Sequence, residues 1–297
     1  MQLALTLVSP EPGAAADALA TVAQALAGVR ARVKEPRPLG PGALEVAVEG
    51  PDAAAVRALA EQALAARPVD LCVQPWNGRR KRLLVADMDS TIINVECLDE
   101  LADFAGLKAH IAAITERAMR GELAFEPALR ERVGLLKGLS TDALQKTYDQ
   151  RVRLNPGART LVRTMTANGA RAVLVSGGFT FFTTRVAAAA GFQAERANTL
   201  EAADGQLTGR VGEPILGREA KLAALQEEAA TLGASLAETL AVGDGANDLG
   251  MIEAAGLGVA YRAKPIVAAQ ADAKVDHADL TSLLYFQGYR ADQFVTD

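Results

Sequence analysis

The hydrophobic pattern of this chain changes character near residue 80. Before that point, Leu3-Ala4-Leu5-Thr6-Leu7-Val8 reads as a strand, and Ala14 to Ala27 as an Ala/Leu-rich helix ended by Gly28. Val29–Val33 and Leu44–Val48 read as two short strands. Asp52 stands as the cap of a helix running to about Ala66, and Val69–Val73 is a last strand. The order β-α-β-β-α-β is the split ferredoxin-like plan. After Arg82, three short apolar runs, Leu83–Ala86, Ala172–Val175 and Thr239–Val242, each lead into a loop rich in glycine or acids. That is the signature of a doubly wound (Rossmann-like) parallel α/β sheet. Between the first two runs, Cys97 to about Arg153 shows helical spacing: Leu98, Leu101 and Ala105 share one face, and Ile111, Ile114 and Ala118 another. An all-helical insertion after the first core strand is therefore expected, placed as a lid. Asp204 to Gly209 reads as a hairpin turn.

These patterns divide the chain into residues 1–76 as a ferredoxin-like α+β domain, residues 77–93 and 154–297 as the α/β core, and residues 94–153 as a helical cap. The run Trp76-Asn77-Gly78-Arg79-Arg80-Lys81-Arg82 reads as a linker, its basic residues a solvated hinge. A length of 297 residues, half of them hydrophobic, accommodates two domains and a sizeable core. The net charge of −5 argues against a nucleic-acid partner. No apolar run reaches membrane-spanning length, so no membrane association is expected. The first basic residue is Arg30, and Pro10 and Pro12 interrupt the apolar start, so no secretory leader is expected. Cys72 and Cys97 are too few for a disulfide framework or a zinc site, which points to the cytoplasm.

The chemistry concentrates where strands end. Asp87-Met88-Asp89-Ser90-Thr91 follows the first core strand, at the carboxyl edge where parallel sheets bind ligands. Two carboxylates one residue apart repel unless a cation or a proton neutralises them. A hard metal ion, Mg²⁺, with one acid free as a nucleophile, answers that requirement. Ser176-Gly177-Gly178 offers a hydroxyl and N–H groups suited to phosphate oxygens. Gly217-Arg218-Glu219-Ala220-Lys221 places a lysine at a helix start, and Gly243-Asp244-Gly245-Ala246-Asn247-Asp248 adds two carboxylates and an amide. A parallel sheet brings all four loops to one edge.

These four motifs, in this order, resemble those of the haloacid dehalogenase-like phosphohydrolases, and within them the phosphoserine phosphatase family. The likeness spans Leu83 to Asp279 and includes Asn94-Val95-Glu96, Met119-Arg120-Gly121, Phe125 and Leu129-Arg130-Glu131-Arg132 in the insertion. The resemblance implies Asp87 as nucleophile and Asp89 as general acid and base. It implies Mg²⁺ held by Asp87, Asp244 and the main-chain carbonyl of Asp89, and phosphate oxygens held by Ser176 and Gly177. Lys221 would offset the phosphoryl charge, with Asn247 and Asp248 positioning it, the metal waters or the attacking water, and Thr91 bonding the loop to fix Asp89. L-Phosphoserine is the implied substrate: Glu96 would accept its ammonium, Arg132 its carboxylate, and Met119 and Phe125 would exclude water. The first domain resembles ACT-type domains, with Gly13 in the first strand–helix loop but without the usual nearby Asp. Ligand binding there, or a structural role in a possible homodimer, both remain open.

Each of these residues also has a plainer reading. Asp248 could simply cap a helix, Glu96 and Arg132 could form a surface ion pair, and Met119 and Phe125 could be cap core. His110 and His277 read as surface or structural residues, and Cys97 as a packing residue. Two other functions stay open: a phosphatase or phosphotransferase for another small metabolite, or a retired enzyme that senses amino acids.

Overall fold

The computed structural model describes residues 2–29, 31–50, 52–119 and 122–296; for 116, 118 and 119 it describes the backbone alone. The N-terminal unit comprises β1 (Gln2–Val8), α1 (Ala14–Ala27), β2 (Arg32–Val33), β3 (Arg37–Gly40), β4 (Ala43–Glu49), α2 (Ala53–Leu64) and β5 (Asp70–Pro75). β4, β1 and β5 are neighbours in an antiparallel sheet, and β2 and β3 both pair with the outer edge of β4. Of the predicted strand Val29–Val33, Arg30 lies outside the described residues and Arg32–Val33 is a strand, and a second short strand appears at Arg37–Gly40. Pro36, Pro38 and Pro41 interrupt the sequence pattern there, and a residue with no N–H is tolerated only on an edge. The Asp52 cap is as read: its carboxylate accepts the Ala55 N–H at 2.8 Å.

The second unit begins with β6 (Leu83–Ala86), followed by the cap helices α3 (Cys97–Phe104), α4 (Lys108–Met119), α5 (Phe125–Gly134) and α6 (Asp142–Arg151). The core resumes with α7 (Ala158–Ala167), β7 (Arg171–Phe179), α8 (Thr180–Ala190) and β8 (Ala194–Asn198). A hairpin of β9 (Leu200–Ala203) and β10 (Gln206–Val211) precedes α9 (Arg218–Thr231) and β11 (Thr239–Gly243). α10 (Leu249–Ala254), β12 (Leu257–Tyr261), α11 (Pro265–Gln270), β13 (Ala273–Val275) and α12 (Ser282–Phe286) complete it. The sheet order is β13-β12-β11-β6-β7-β8, every pair parallel. Residue alternation along β6 sends Leu84 and Ala86 to one face, with α7, α8 and α12, and Leu83 and Val85 to the other, with α9, α10 and α11. The sheet is thus covered on both faces, as near-continuous apolar strands require. The β9–β10 hairpin turns at Asp204 and Gly205, both at positive φ. It belongs with the cap as well as the core: Gly138 N–H donates to Leu207 O, and Leu207 N–H to Leu139 O, each at 2.8 Å.

The two units share a buried seam. Leu3, Leu5 and Leu7 of β1 face α1 and α2, with Val46, Val48, Leu71 and Val73. The opposite face, Ala4, Thr6, Glu45, Ala47, Cys72 and Gln74, is buried too. Val8, Leu39, Ala43 and Cys72 join the cluster that contains Leu283, Leu284 and Phe286 of α12. The Asp70 carboxylate accepts the N–H groups of Asp276 (2.9 Å), His277 (3.1 Å) and Ala278 (2.8 Å), and Gln74 donates to Phe286 O at 2.7 Å. The basic connector is not a solvated hinge. Lys81 is buried, and its ammonium donates to Ala237 O (2.8 Å), Gly256 O (3.1 Å) and Gly78 O (3.2 Å). Arg79 and Arg37 both bind the fully buried Glu45 carboxylate. A buried carboxylate must be paired, so the charges that looked like a solvent face are used internally.

Candidate active site

Strand register sets the site. Leu83–Ala86 of β6 aligns with Thr239–Val242 on one side and Arg171–Leu174 on the other. Asp87, Val175 and Gly243 therefore stand at one level along the three strands, and the Asp87 N–H donates to Val242 O at 3.0 Å. The chain runs from β6 to β7 on one side and reaches β11 on the other, which opens the crevice typical of such a switch point.

Lys221 lies in the first turn of α9 and is buried. A cation there opposes the helix dipole, so it needs anionic partners. It has two: the ammonium is 2.6 Å from Asp87 Oδ1 and 2.5 Å from Asp248 Oδ1. Asp248 is fully buried, and its other oxygen accepts the N–H groups of Gly245 (3.0 Å) and Asp244 (3.2 Å). Gly243 permits this: a Cβ there would lie 2.4 Å from Asp248 Cγ. Asp87, Asp244 and Asp248 bring carboxylate oxygens within 4.8 Å of one another. Burial pushes the Asp87 carboxyl well up, as does the charge of Asp248, against the pull of Lys221. Burial, then Asp248 and Glu96, push Asp244 up to about 6. Burial alone would discharge Lys221, but Asp248 and Asp87 win and raise its pKa. The cluster is anionic overall and has the all-oxygen donors that a small hard cation takes.

Asp89 turns away from that cluster. One oxygen accepts the Cys97 N–H at 2.9 Å, and the other the Ser176 hydroxyl at 3.1 Å. Burial and the charge of Glu96 push it up to about 7, against those hydrogen bonds. Ser176 Oγ also accepts the Gly178 N–H at 2.8 Å. A Cβ at Gly178 would stand 3.0 Å from both Asp89 Oδ2 and Ser176 Oγ, so the loop closes on Asp89 only with glycine. Asn198, buried at the end of β8, ties this loop down. Its amide donates to Gly177 O (2.9 Å) and Leu216 O (3.2 Å), and its carbonyl accepts the Leu216 N–H (2.7 Å). One side chain thus couples the Ser176 loop to the segment that enters α9 and Lys221.

The cap supplies the roof. Phe125, at the start of α5, lies over two glycine backbones: a Cβ on Gly177 would be 3.2 Å from its ring, and one on Gly217 3.6 Å. Glu96, exposed at the entrance to α3, accepts the Ser90 hydroxyl at 2.7 Å. Ser90 has φ of 57°, which swings its side chain toward Glu96. Arg132 is half-buried; its guanidinium donates to Ala128 O (3.1 Å) and Thr115 Oγ1 (3.4 Å) and pairs with no carboxylate among the described residues. Burial lowers its pKa, countered by the nearby Asp99 and Glu96.

The structure therefore gathers Asp87, Asp89, Ser176, Gly177, Lys221, Asp244, Asp248 and Phe125 at one edge, with Glu96 at the rim. Asn247 is half-buried and its amide folds back to Gly245, where a Cβ would be 2.3 Å from Asn247 Oδ1. Thr91 departs from expectation: its buried hydroxyl has no hydrogen-bond partner, and Asn155 does the fastening, donating to Thr91 O (2.8 Å) and Ile93 O (3.0 Å). The Met119 side chain, Arg120 and Gly121 lie outside the described residues. Sequence reasoning missed Asn155 and Asn198. No pattern in the sequence marked either one, since their partners are backbone groups.

A family model for haloacid dehalogenase-like hydrolases matches residues 84–253, more than half of the chain and all four loops. The chain belongs to the haloacid dehalogenase-like hydrolase family. It is 50% identical over 208 residues to a phosphoserine phosphatase of Polaromonas sp., covering 68% of this chain and 88% of that one. It is 47% identical over 204 residues to a phosphoserine phosphatase of Streptococcus thermophilus, covering 69% and 94%. Among solved structures it is similar to a haloacid dehalogenase-family hydrolase from Salmonella enterica serovar Typhi, with a TM-score of 0.85, 30% identity and coverage of 96% and 98%. A probable phosphoserine phosphatase from Vibrio cholerae matches with a TM-score of 0.77, 31% identity and coverage of 96% and 86%. Both matches to solved structures extend over the N-terminal unit as well as the hydrolase core.

Proposed function

We propose that the chain is a Mg²⁺-dependent phosphoserine phosphatase, hydrolysing L-phosphoserine to L-serine and phosphate, the last step of serine biosynthesis. The observation that carries this reading is the buried Asp87–Lys221–Asp248 cluster beside the Ser176–Gly178 loop, under a cap ring. Asp87 attacks phosphorus in line and forms an aspartyl-phosphate as the bond to the seryl oxygen breaks. Asp89, held by Cys97 and Ser176, gives its proton to that leaving oxygen. It then takes a proton from the water that attacks the aspartyl-phosphate, which releases phosphate and restores Asp87. The Ser176 hydroxyl accepts from Gly178 and donates to Asp89 in this structure, and it would turn that hydrogen to a phosphoryl oxygen when substrate binds, next to the Gly177 N–H. Lys221 offsets charge on the nucleophile and the transferred group.

Asp87, Asp244 and the main-chain carbonyl of Asp89 would hold the Mg²⁺. Both Asp248 oxygens are already engaged, so Asp248 positions Lys221 and the Asp244 loop. When bound, the ion supplies positive charge to the phosphoryl oxygens. Asn247 helps position the phosphoryl group and Lys221. Glu96 accepts the substrate ammonium, Arg132 its carboxylate, and Phe125 with Met119 excludes water. No described helix is long and apolar enough to cross a membrane, and the enzyme works on its small substrate in the cytoplasm. A homodimer would meet through the helical face or an edge of the N-terminal sheet, because the other face is covered. A panel of phosphoserine and sugar phosphates tests the specificity. Arg132→Ala should weaken phosphoserine turnover selectively; equal weakening of a sugar phosphate contradicts the assignment.

A further inference from the structure

A second cavity of about 440 Å³ lies away from the active site, where the N-terminal unit, the connector and the segment after α12 meet. Arg37, Arg79, Arg80 and Arg290 line it, with Trp76 and Gln287. Four guanidiniums converge in a chain whose net charge is −5. Two carboxylates answer them: buried Glu45 takes Arg37 and Arg79, and Asp292 takes Arg290 at 2.6 Å. Arg80 pairs with no carboxylate among the described residues and rests on the Tyr289 ring at 4.2 Å. The lining is left with two uncompensated positive charges.

The guanidiniums are also held in place before any ligand arrives. Arg79 stacks on Trp76 at 4.3 Å while donating to Glu45. Gly288, at φ 77°, is required beside it, since a Cβ there would be 2.8 Å from the Arg79 guanidinium. Stacked and fork-bound guanidiniums keep planar N–H edges for oxyanions, and the volume suits a small metabolite. We infer that this cavity is a binding site for a dianionic oxyanion, a phosphoryl or dicarboxylate group. It is distinct from the active site: the connector enters β6 at its first residue, whereas Asp87 follows its last, so roughly 13 Å of strand separates them. Because its walls come from both units, the anion locks the N-terminal domain to the core.

Trp76 is the single tryptophan of the chain, so its fluorescence reports on this cavity alone. The full-length protein is titrated with pyrophosphate and, separately, with succinate at constant ionic strength. A saturable change in emission is expected with one or both, and which one identifies the group. The same ligand should raise the melting midpoint. Arg80→Ala/Arg290→Ala, which removes two exposed side chains, should weaken binding at least tenfold with phosphatase turnover unchanged. Asp87→Asn should leave the titration as it is. No saturable change with either anion, or equal affinity in the double variant, overturns the site.

Discussion

Asn198→Ala isolates the strut that joins the two loops of the site. The side chain is 2% exposed and makes three hydrogen bonds, to Gly177 O, Leu216 O and Leu216 N–H. At roughly 1 kcal/mol net for each bond, and more where a buried group is left without a partner, the variant should lose about 2–4 kcal/mol of stability. The catalytic consequence is separate. Releasing Gly177 frees the backbone that sets Ser176, and a displacement of about 1 Å in a reacting group costs on the order of 10²-fold in rate. kcat should therefore fall by roughly ten- to a hundredfold, with KM changed much less, because Glu96 and Arg132 sit in the cap. Asn198→Asp sharpens the test: it keeps an acceptor for Leu216 N–H but turns a charge toward two carbonyls, so it should be no better than alanine. Urea denaturation and steady-state phosphate release measure both effects. Wild-type stability together with wild-type kcat in Asn198→Ala would refute the strut.

Lys221→Met leaves Asp87 and Asp248 buried without their shared cation, so stability should fall by roughly 3–5 kcal/mol in metal-free protein and kcat by about 10²–10³. Thermal melts with EDTA and with Mg²⁺ read it, and the ion should restore part of the lost stability. Phe125→Ala uncovers Gly177 and Gly217, so turnover should drop about tenfold while the melting midpoint stays close to wild type, since the ring is only half-buried. Glu228 gives a pH test of stability. Burial works against its charge, but hydrogen bonds from Arg171 (2.5 Å) and Arg196 (2.8 Å) win and hold its pKa below the ordinary 4.5. A carboxyl depressed in the folded state stabilises above its unfolded pKa and loses that contribution as pH falls below about 4.5. Glu228→Gln should therefore show a flatter loss of stability over that acid range in denaturation curves collected at stepped pH.

The catalytic edge was legible because three of its loops follow apolar runs of a parallel sheet, which placed Asp87, Ser176 and Asp244 together, while Lys221 was legible from its place in the ordered motifs at the start of a helix. The cap helices were equally legible from spacing. What sequence could not supply was the partner of each polar group. The Arg79–Lys81 run looked like a solvent-facing hinge, yet Glu45, more than thirty residues earlier, and the Ala237 and Gly256 carbonyls absorb its charge. The outer face of the N-terminal sheet is covered because small residues such as Ala4, Ala43 and Ala47 let α12 and its neighbours approach, and alanine carries little directional signal. Asp248 read as a helix cap or as a residue positioning Lys221; one oxygen does bind Lys221, while the other, unforeseen, holds the loop backbone. Thr91 was assigned a fastening role that Asn155, distant in sequence, performs through backbone carbonyls.

Phosphate release from L-phosphoserine, measured in parallel with Mg²⁺ and with EDTA, tests the central claim most directly. The arrangement of Asp87, Asp89, Lys221 and Asp244 predicts steady turnover with Mg²⁺, none in EDTA, and none in Asp87→Asn under either condition. Absence of release with Mg²⁺, or equal release in EDTA or in Asp87→Asn, would contradict it.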